Sequence, residues 1–243
     1  MNAGSKISDI SALIIAMCFP SLMSWVEFII LPGSGREKNV ALQACFVVGK
    51  IVQFAFPVLY MWLRHPDQLA IKRPSARGLE TGAAFGLVVG AGGLALYFGW
   101  LKTSPALAST PERLHHWLTE FNLASPGGFL LMAFFIAVLH SFLEEYYWRW
   151  FVFGRLEQYL PLYEAMALSS IAFMAHHVIV LGVYLKGYFW IAAIPFSLCV
   201  AGGGIVWAWL YHRYQSIYAP WISHLLVDLA LMALGYDMLR RYW

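Results

Sequence analysis

Runs of about 20 apolar residues recur along the chain, separated by short clusters of charge, proline and glycine, and each run can cross a bilayer as a helix. Seven such runs are read, roughly over residues 8 to 31, 40 to 63, 79 to 101, 127 to 153, 164 to 185, 189 to 212 and 217 to 236. In lipid, backbone polar groups are satisfied only in helices or closed barrels, and these runs lack the short alternating segments of barrel strands. The pattern therefore predicts an all-α, polytopic transmembrane helical bundle. Between the third and fourth runs, Ser109 to Asn122 opens on Thr-Pro-Glu and mixes polar with apolar residues. It reads as an amphipathic helix on the membrane surface or as a solvated connecting helix. One lysine, Lys6, precedes the first run from Ile7 to Leu31, which is too long for a signal-peptide core and ends without a small-residue cleavage site. It is read as an uncleaved first span.

Composition agrees with a lipid solvent. Of 243 residues 60% are hydrophobic and 12% charged, whereas a soluble domain carries about 25% charged residues. The mean hydropathy is +0.64. Many of the 11 Trp, 13 Tyr and 17 Phe lie near the ends of apolar runs, where amphipathic rings prefer the headgroup layer. A net charge of +3, carried mainly in the connections, gives no support for nucleic-acid binding. It orients the chain instead: Arg64, Lys72, Arg73 and Arg77 stand against Asp67 in one connection, which places that connection and the N-terminus in the cytoplasm. Seven spans then leave Arg240 and Arg241 outside, against the same rule, so an eighth span or a re-entrant last helix stays open. Cys18, Cys45 and Cys199 lie in apolar stretches without disulfide or zinc spacing and are read as packing residues. Gly82, Gly86, Gly90, Gly92 and Gly93 in the third run, and Gly202, Gly203 and Gly204 in the sixth, are expected to let backbones approach. With no repeat and no long linker, residues 1–243 are read as a single membrane domain.

Ionisable residues inside apolar runs are the informative ones, because each costs at least about 2.5 kcal/mol at a helix centre unless it is paired or faces a watery cavity. The fourth run carries the densest group: His140, Glu144, Glu145 and Arg149. On a helix Glu145 and Arg149 share a face and can pair, while Glu144 points about 100° away, toward His140 and Trp148. The fifth run holds Phe173 followed by His176 and His177, and the seventh holds His224 and Asp228 four apart. If these three helices pack together, Glu144, a histidine of the fifth run and His224 converge on one water molecule in a buried cavity. That set can hydrolyse an amide. Taken singly, each element has a plainer reading: an exposed ion pair, or hydrogen-bonded packing histidines, the reading preferred for His140 and His176. Glu27 and Lys50 are expected to form a structural pair, and Glu80 to sit at an interface.

These residues resemble the CPBP family, the CAAX prenyl protease and Abi-like membrane proteins that include the eukaryotic Ras-converting endopeptidase. The family pattern is Glu-Glu-x-x-x-Arg, then Phe-x-x-x-His, then His-x-x-x-(Asn or Asp). It is matched here by Glu144, Glu145 and Arg149, by Phe173 and His177, and by His224 and Asp228, within about residues 128 to 232. The resemblance implies a CAAX-type intramembrane endopeptidase with Glu144 activating water, His177 assisting or holding the oxyanion, Glu145 and Arg149 in support, and His224 and Asp228 completing the site. Spacing selects His177 over its neighbour His176, a shift of one residue that turns a side chain by about 100°. A two-His, one-carboxylate zinc site of Glu144, His177 and His224 is the metal-dependent version. The metal-free glutamate mechanism, needing no cofactor, is the reading adopted.

The expected partners are the lipid bilayer and a protein or peptide substrate, lipid-modified at its C-terminus if it follows the CAAX pattern. Short, plain connections suggest a bacterial chain in the cell membrane. The competing functions are a proton-coupled transporter, for which no inverted repeat is seen, and a non-catalytic membrane scaffold or immunity protein of the same fold.

Overall fold

The structure, a computed structural model, describes residues 3–31 and 40–243. Among them seven helices are long and apolar enough to cross a membrane: α1 (Lys6–Ile30), α2 (Val40–Arg64), α3 (Ala76–Gly99), α5 (Pro126–Leu156), α6 (Leu162–Tyr184), α7 (Phe189–Tyr214) and α8 (Tyr218–Tyr242). A shorter helix, α4 (Thr110–Glu120), lies between the third and fourth spans where an amphipathic helix was expected. No strand occurs among the described residues. Large apolar side chains point outward from the bundle, among them Val88 at 72% and Ile191 at 76% exposure. Such a surface suits hydrocarbon and not water, so the chain is an integral, multi-pass membrane protein.

Local sequence explains where the helices begin. Ser75 caps α3 by accepting the Gly78 amide at 3.1 Å, and Ser125 caps α5 by accepting the Gly128 amide at 3.1 Å, with Pro126 at its first position. Helix α7 stops at Gln215, which takes a left-handed conformation with φ 52°. Helix α4 is tied over the ends of its neighbours. Thr110 donates to the Tyr184 carbonyl at 3.0 Å, and Leu118 is fully buried in a cluster with Phe129 and Leu239.

The close backbone approach expected of the third run is found on one face. A Cβ at Gly86 would meet the Ser223 carbonyl oxygen at 2.6 Å and its Cα at 2.9 Å, and one at Gly82 would collide with the Ala219 carbonyl. Helix α3 therefore packs backbone to backbone on α8, the helix that carries His224. Gly204 likewise admits Ser170 of α6, whereas Gly92, Gly93 and Gly202 face open space and need another explanation than packing.

Helix α5 is not uniformly α-helical. A single α-helical turn, Ser141–Glu145, sits between wider π-helical turns over Phe135–His140 and Tyr146–Phe153. Such turns redirect side chains and are frequent at functional sites. Around this helix lie the bulkiest fully buried side chains, including Tyr147, Trp148, Phe151, Phe153 and Phe173.

A second buried polar cluster pins one end of α5. Asp9 of α1, 1% exposed, accepts from Tyr60 at 2.5 Å, from His65 at 2.8 Å, and from Arg155 and Tyr159. Arg155 also donates to Gln68 at 2.9 Å. Burial and the bond to Asp9 push the Tyr159 hydroxyl up to about 12, so it stays protonated and donating at neutral pH.

Three expectations need correction or refinement. Glu27 and Lys50 interact electrostatically, as expected of a structural pair, but without direct contact: Glu27 Oε1 is buried without a hydrogen-bond partner, and Lys50 donates to Gln53. Their side chains leave separate helices at positions that the sequence alone could not set in register. The cysteines are free, but Cys18 and Cys199 are exposed on the outside of the bundle and only Cys45 is half-buried, because apolar runs in lipid have no single inward face. Glu80 is exposed near the start of α3, at the position expected of an interfacial residue.

Candidate active site

Glu144 and Glu145, adjacent in the α-helical turn of α5, are both buried, at 5% and 0% exposure. Their different directions give them different partners. Glu145 is held from two sides: Arg149 Nε lies 3.2 Å from its Oε2, and His224 Nδ1 lies 2.7 Å from its Oε1. The pairing with Arg149, one turn further along the same helix, is the one the four-residue spacing predicts. The Arg149 guanidinium also lies between aromatic faces, 4.7 Å from the Phe173 ring centre and 5.1 Å from that of Trp207.

Glu144 faces imidazoles. Its Oε1 lies 3.8 Å from His176 Nε2 and 3.9 Å from His140 Nε2, and its Oε2 lies 3.7 Å from His224 Nε2. These separations exceed direct hydrogen bonds and leave room for a third polar atom to be shared between carboxylate and imidazole. Three helices converge here, α5, α6 and α8, the fourth, fifth and seventh spans between which the site was expected.

His224 is the best-positioned of the histidines. Glu145 takes its Nδ1–H, Trp207 of α7 stacks on its ring at 4.1 Å and 16°, and its Nε2 is left facing Glu144 and, at 3.8 Å, Asp228 Oδ2. Trp207 is itself fixed by donating to Ser223 Oγ at 2.9 Å. A histidine gripped at one nitrogen presents the other in a defined direction.

On α6 the paired histidines part company. His177, at the position selected by spacing, uses Nδ1 to donate to the Phe173 carbonyl at 3.0 Å, and among the described residues no carboxylate is in ion-pair contact with it. His176, stacked on Trp148 and 4.1 Å from the His177 ring, is the one whose Nε2 approaches Glu144. Phe173 lies under all of them, touching the rings of His176, His177 and His224. Sequence reasoning gave His140 and His176 to packing and missed Trp207 altogether. For His140 the signal was present, since it precedes Glu144 by one helical turn. An apolar Trp in an apolar run gives none.

Among the described residues no three His, Cys, Asp or Glu side chains are placed to hold a metal ion. Glu144, His177 and His224 do not form such a group, and the His177 Nδ1 is turned to the Phe173 carbonyl.

Fold and cluster together define a multi-pass membrane protein with a carboxylate and histidine centre sealed between its helices. Residues 126–230 match the family model described as type II CAAX prenyl endopeptidase, Rce1-like. The matched segment runs from the first turn of α5 into α8, less than half of the chain, and contains all the residues of the cluster, which is thus similar to that of the CAAX-type endopeptidases. No curated protein and no solved structure matches the chain.

Proposed function

We propose that the protein hydrolyses a peptide bond at membrane depth by a glutamate mechanism, with Glu144 as the general base. The observation that carries this reading is the convergence of three imidazole nitrogens, from His140, His176 and His224, at 3.7–3.9 Å around a single buried carboxylate. Water held between Glu144 and an imidazole of α6 loses its proton to Glu144 as its oxygen attacks the carbonyl carbon of the scissile amide. The oxyanion that forms is met by the His224 Nε2–H, oriented by Glu145, while Arg149 keeps Glu145 in place and Asp228 balances the charge of His224. Glu144 then returns the proton to the leaving nitrogen, the C–N bond breaks, and a carboxylic acid and an amine are released.

Two positions on α6 compete for the assisting role. Family spacing favours His177, and the 3.8 Å approach to Glu144 favours His176. The positive connection from Arg64 to Arg77 supports a cytoplasmic placement of that face in a bacterial cell membrane.

The test is cleavage of an internally quenched, lipid-tailed peptide library by purified protein, comparing wild type, Glu144→Gln, and wild type with a strong chelator. Loss of cleavage by about 10²- to 10⁴-fold in the variant, with activity kept in chelator, is the expected result. Full activity of Glu144→Gln would overturn the assignment of the base, and loss in chelator would replace the glutamate mechanism by a metal-dependent one.

A further inference from the structure

Helix α4 and the ends of α1, α2 and α6 surround a cavity of about 150 Å³, to which the catalytic cluster contributes no side chain. That volume is roughly ten times what a single water needs. The helices fix its level. Glu27 lies three residues before the end of α1, Leu42 is the third residue of α2, and Tyr184 closes α6. Spans end where hydrocarbon gives way to the headgroup layer, so the cavity sits at that boundary.

Its polar lining is unfinished. Glu27 is 7% exposed, and its Oε1 has no hydrogen-bond donor among the described residues. Lys50 offsets part of this charge from within electrostatic range, but its ammonium donates to Gln53 instead. A buried carboxylate oxygen without a donor is costly and calls for a partner. Glu120, 3.9 Å from His116 Nε2, adds a second acid to the lining. Arg113 of α4 lines the same space; its Nε donates to Ser109 Oγ at 3.3 Å, and no carboxylate forms an ion pair with it among the described residues. Three rings complete the walls. Phe28 and Tyr184 meet edge to face at 6.2 Å, and Phe46 backs Trp117 at 6.2 Å.

We propose that this cavity binds the headgroup of a phospholipid that carries a primary amine, its ammonium donating to Glu27 and its phosphate held by Arg113. Rings around an acid hold an ammonium of any kind. An oxygen that lacks a donor needs N–H, which a primary ammonium offers and a trimethylammonium does not. A cation alone would leave Arg113 unanswered, and a phosphate ester one short linker away supplies its anion. The level of the cavity selects a lipid over a soluble amine. Trp25 and Ile29, beside Glu27 on α1, are 51% and 44% exposed and give acyl chains an apolar surface to lie on. A headgroup held here ties α4 to α1 and to the end of α6, where Thr110 already donates to the Tyr184 carbonyl at 3.0 Å. None of these groups belongs to the proposed hydrolytic centre.

The test is native mass spectrometry of purified wild type, Glu27→Gln and Arg113→Met in detergent. Each is titrated with phosphatidylethanolamine, with phosphatidylcholine of the same chains, and with chain-free glycerophosphoethanolamine. Wild type is expected to bind phosphatidylethanolamine about 10- to 100-fold more tightly than phosphatidylcholine. That preference disappears in Glu27→Gln, whereas Arg113→Met weakens both lipids and keeps their ratio. Equal affinity of wild type for the two lipids overturns the proposal even if Glu27→Gln fails to fold, and so does an undiminished preference in a folded Glu27→Gln. Unchanged binding of both lipids by Arg113→Met overturns the phosphate contact. Glycerophosphoethanolamine binding as tightly as the intact lipid removes the membrane as the source and overturns the assignment to a lipid.

Discussion

Arg149→Ala removes the one cation that pairs with Glu145 along α5, and the structure sets the size of the effect. Both partners are almost fully buried, the pair is direct at 3.2 Å, and the guanidinium fills the space between Phe173 and Trp207. Breaking a buried pair by deleting one member leaves an uncompensated charge and costs about 3–5 kcal/mol. For a chain of this size that corresponds to a fall in Tm of roughly 6 to 20 °C. Activity should fall as well, because Glu145 then no longer holds His224 from a fixed position. Thermal unfolding of the detergent-solubilised protein, followed by intrinsic tryptophan fluorescence, measures the first effect, and peptide cleavage measures the second. The double variant Glu145→Gln, Arg149→Met separates them: with no charge left to bury, most of the stability returns, but His224 lacks its anionic partner and activity stays low. An inactive Arg149→Ala protein whose Tm lies within about 2 °C of wild type would refute the reasoning and place Arg149 in the chemistry itself.

Two further predictions concern the frame of the site. His176→Ala and His177→Ala, assayed separately at equal folded concentration, should differ by at least about tenfold in kcat, the larger loss marking the histidine that shares water with Glu144; equal, small losses would remove α6 from the mechanism. Gly86→Val places a branched side chain where a Cβ already meets the Ser223 backbone at 2.6 Å, so α3 and α8 must separate. Stability and activity should drop together in Gly86→Val while Gly93→Val, which meets nothing within 4 Å, remains as stable as wild type; similar Tm values for the two would deny the close approach.

The spans were legible because apolar length is a strong signal in lipid, and the serine and proline residues at their starts locate α3 and α5 to within a few residues. The acidic part of the site was legible for a related reason: Glu144, Glu145 and Arg149 are costly in that run, and four-residue spacing pairs Glu145 with Arg149 without any tertiary information. Rotation of the helices was not legible. The choice between His176 and His177 depends on how α6 turns against α5, and α5 itself carries π-helical turns on both sides of the two glutamates, which no 3.6-residue periodicity anticipates. The same limit applies to the expected pair of Glu27 and Lys50, whose helices bring the complementary charges into electrostatic range without a direct ion pair. Asp9 went unremarked because a single acid one turn into the first apolar run resembles an interfacial residue. Its four donors, Tyr60, His65, Arg155 and Tyr159, come from segments between 51 and 150 residues away.

The distribution of buried charge suggests why a site of this kind tolerates lipid. Glu145 and Arg149 neutralise one another as a buried ion pair at 3.2 Å, and Glu145 directs His224, so their burial serves orientation. Asp9 and Arg155 do the same for the far end of α5, fastening it to α1 and α2 three turns beyond Glu144. Glu144 lies in the regular α-helical turn Ser141–Glu145, with a π-helical stretch on either side of it. Glu144 itself has no short partner: its three imidazoles stand at 3.7–3.9 Å, whereas Glu145 has a bond of 2.7 Å. A carboxylate that positions a neighbour is bound directly to it, as Glu145 is to His224, and one that must accept a proton from a substrate water is left with its oxygens near donors but not bound to them. On that criterion the two adjacent glutamates divide into a positioning residue, Glu145, and a reacting one, Glu144.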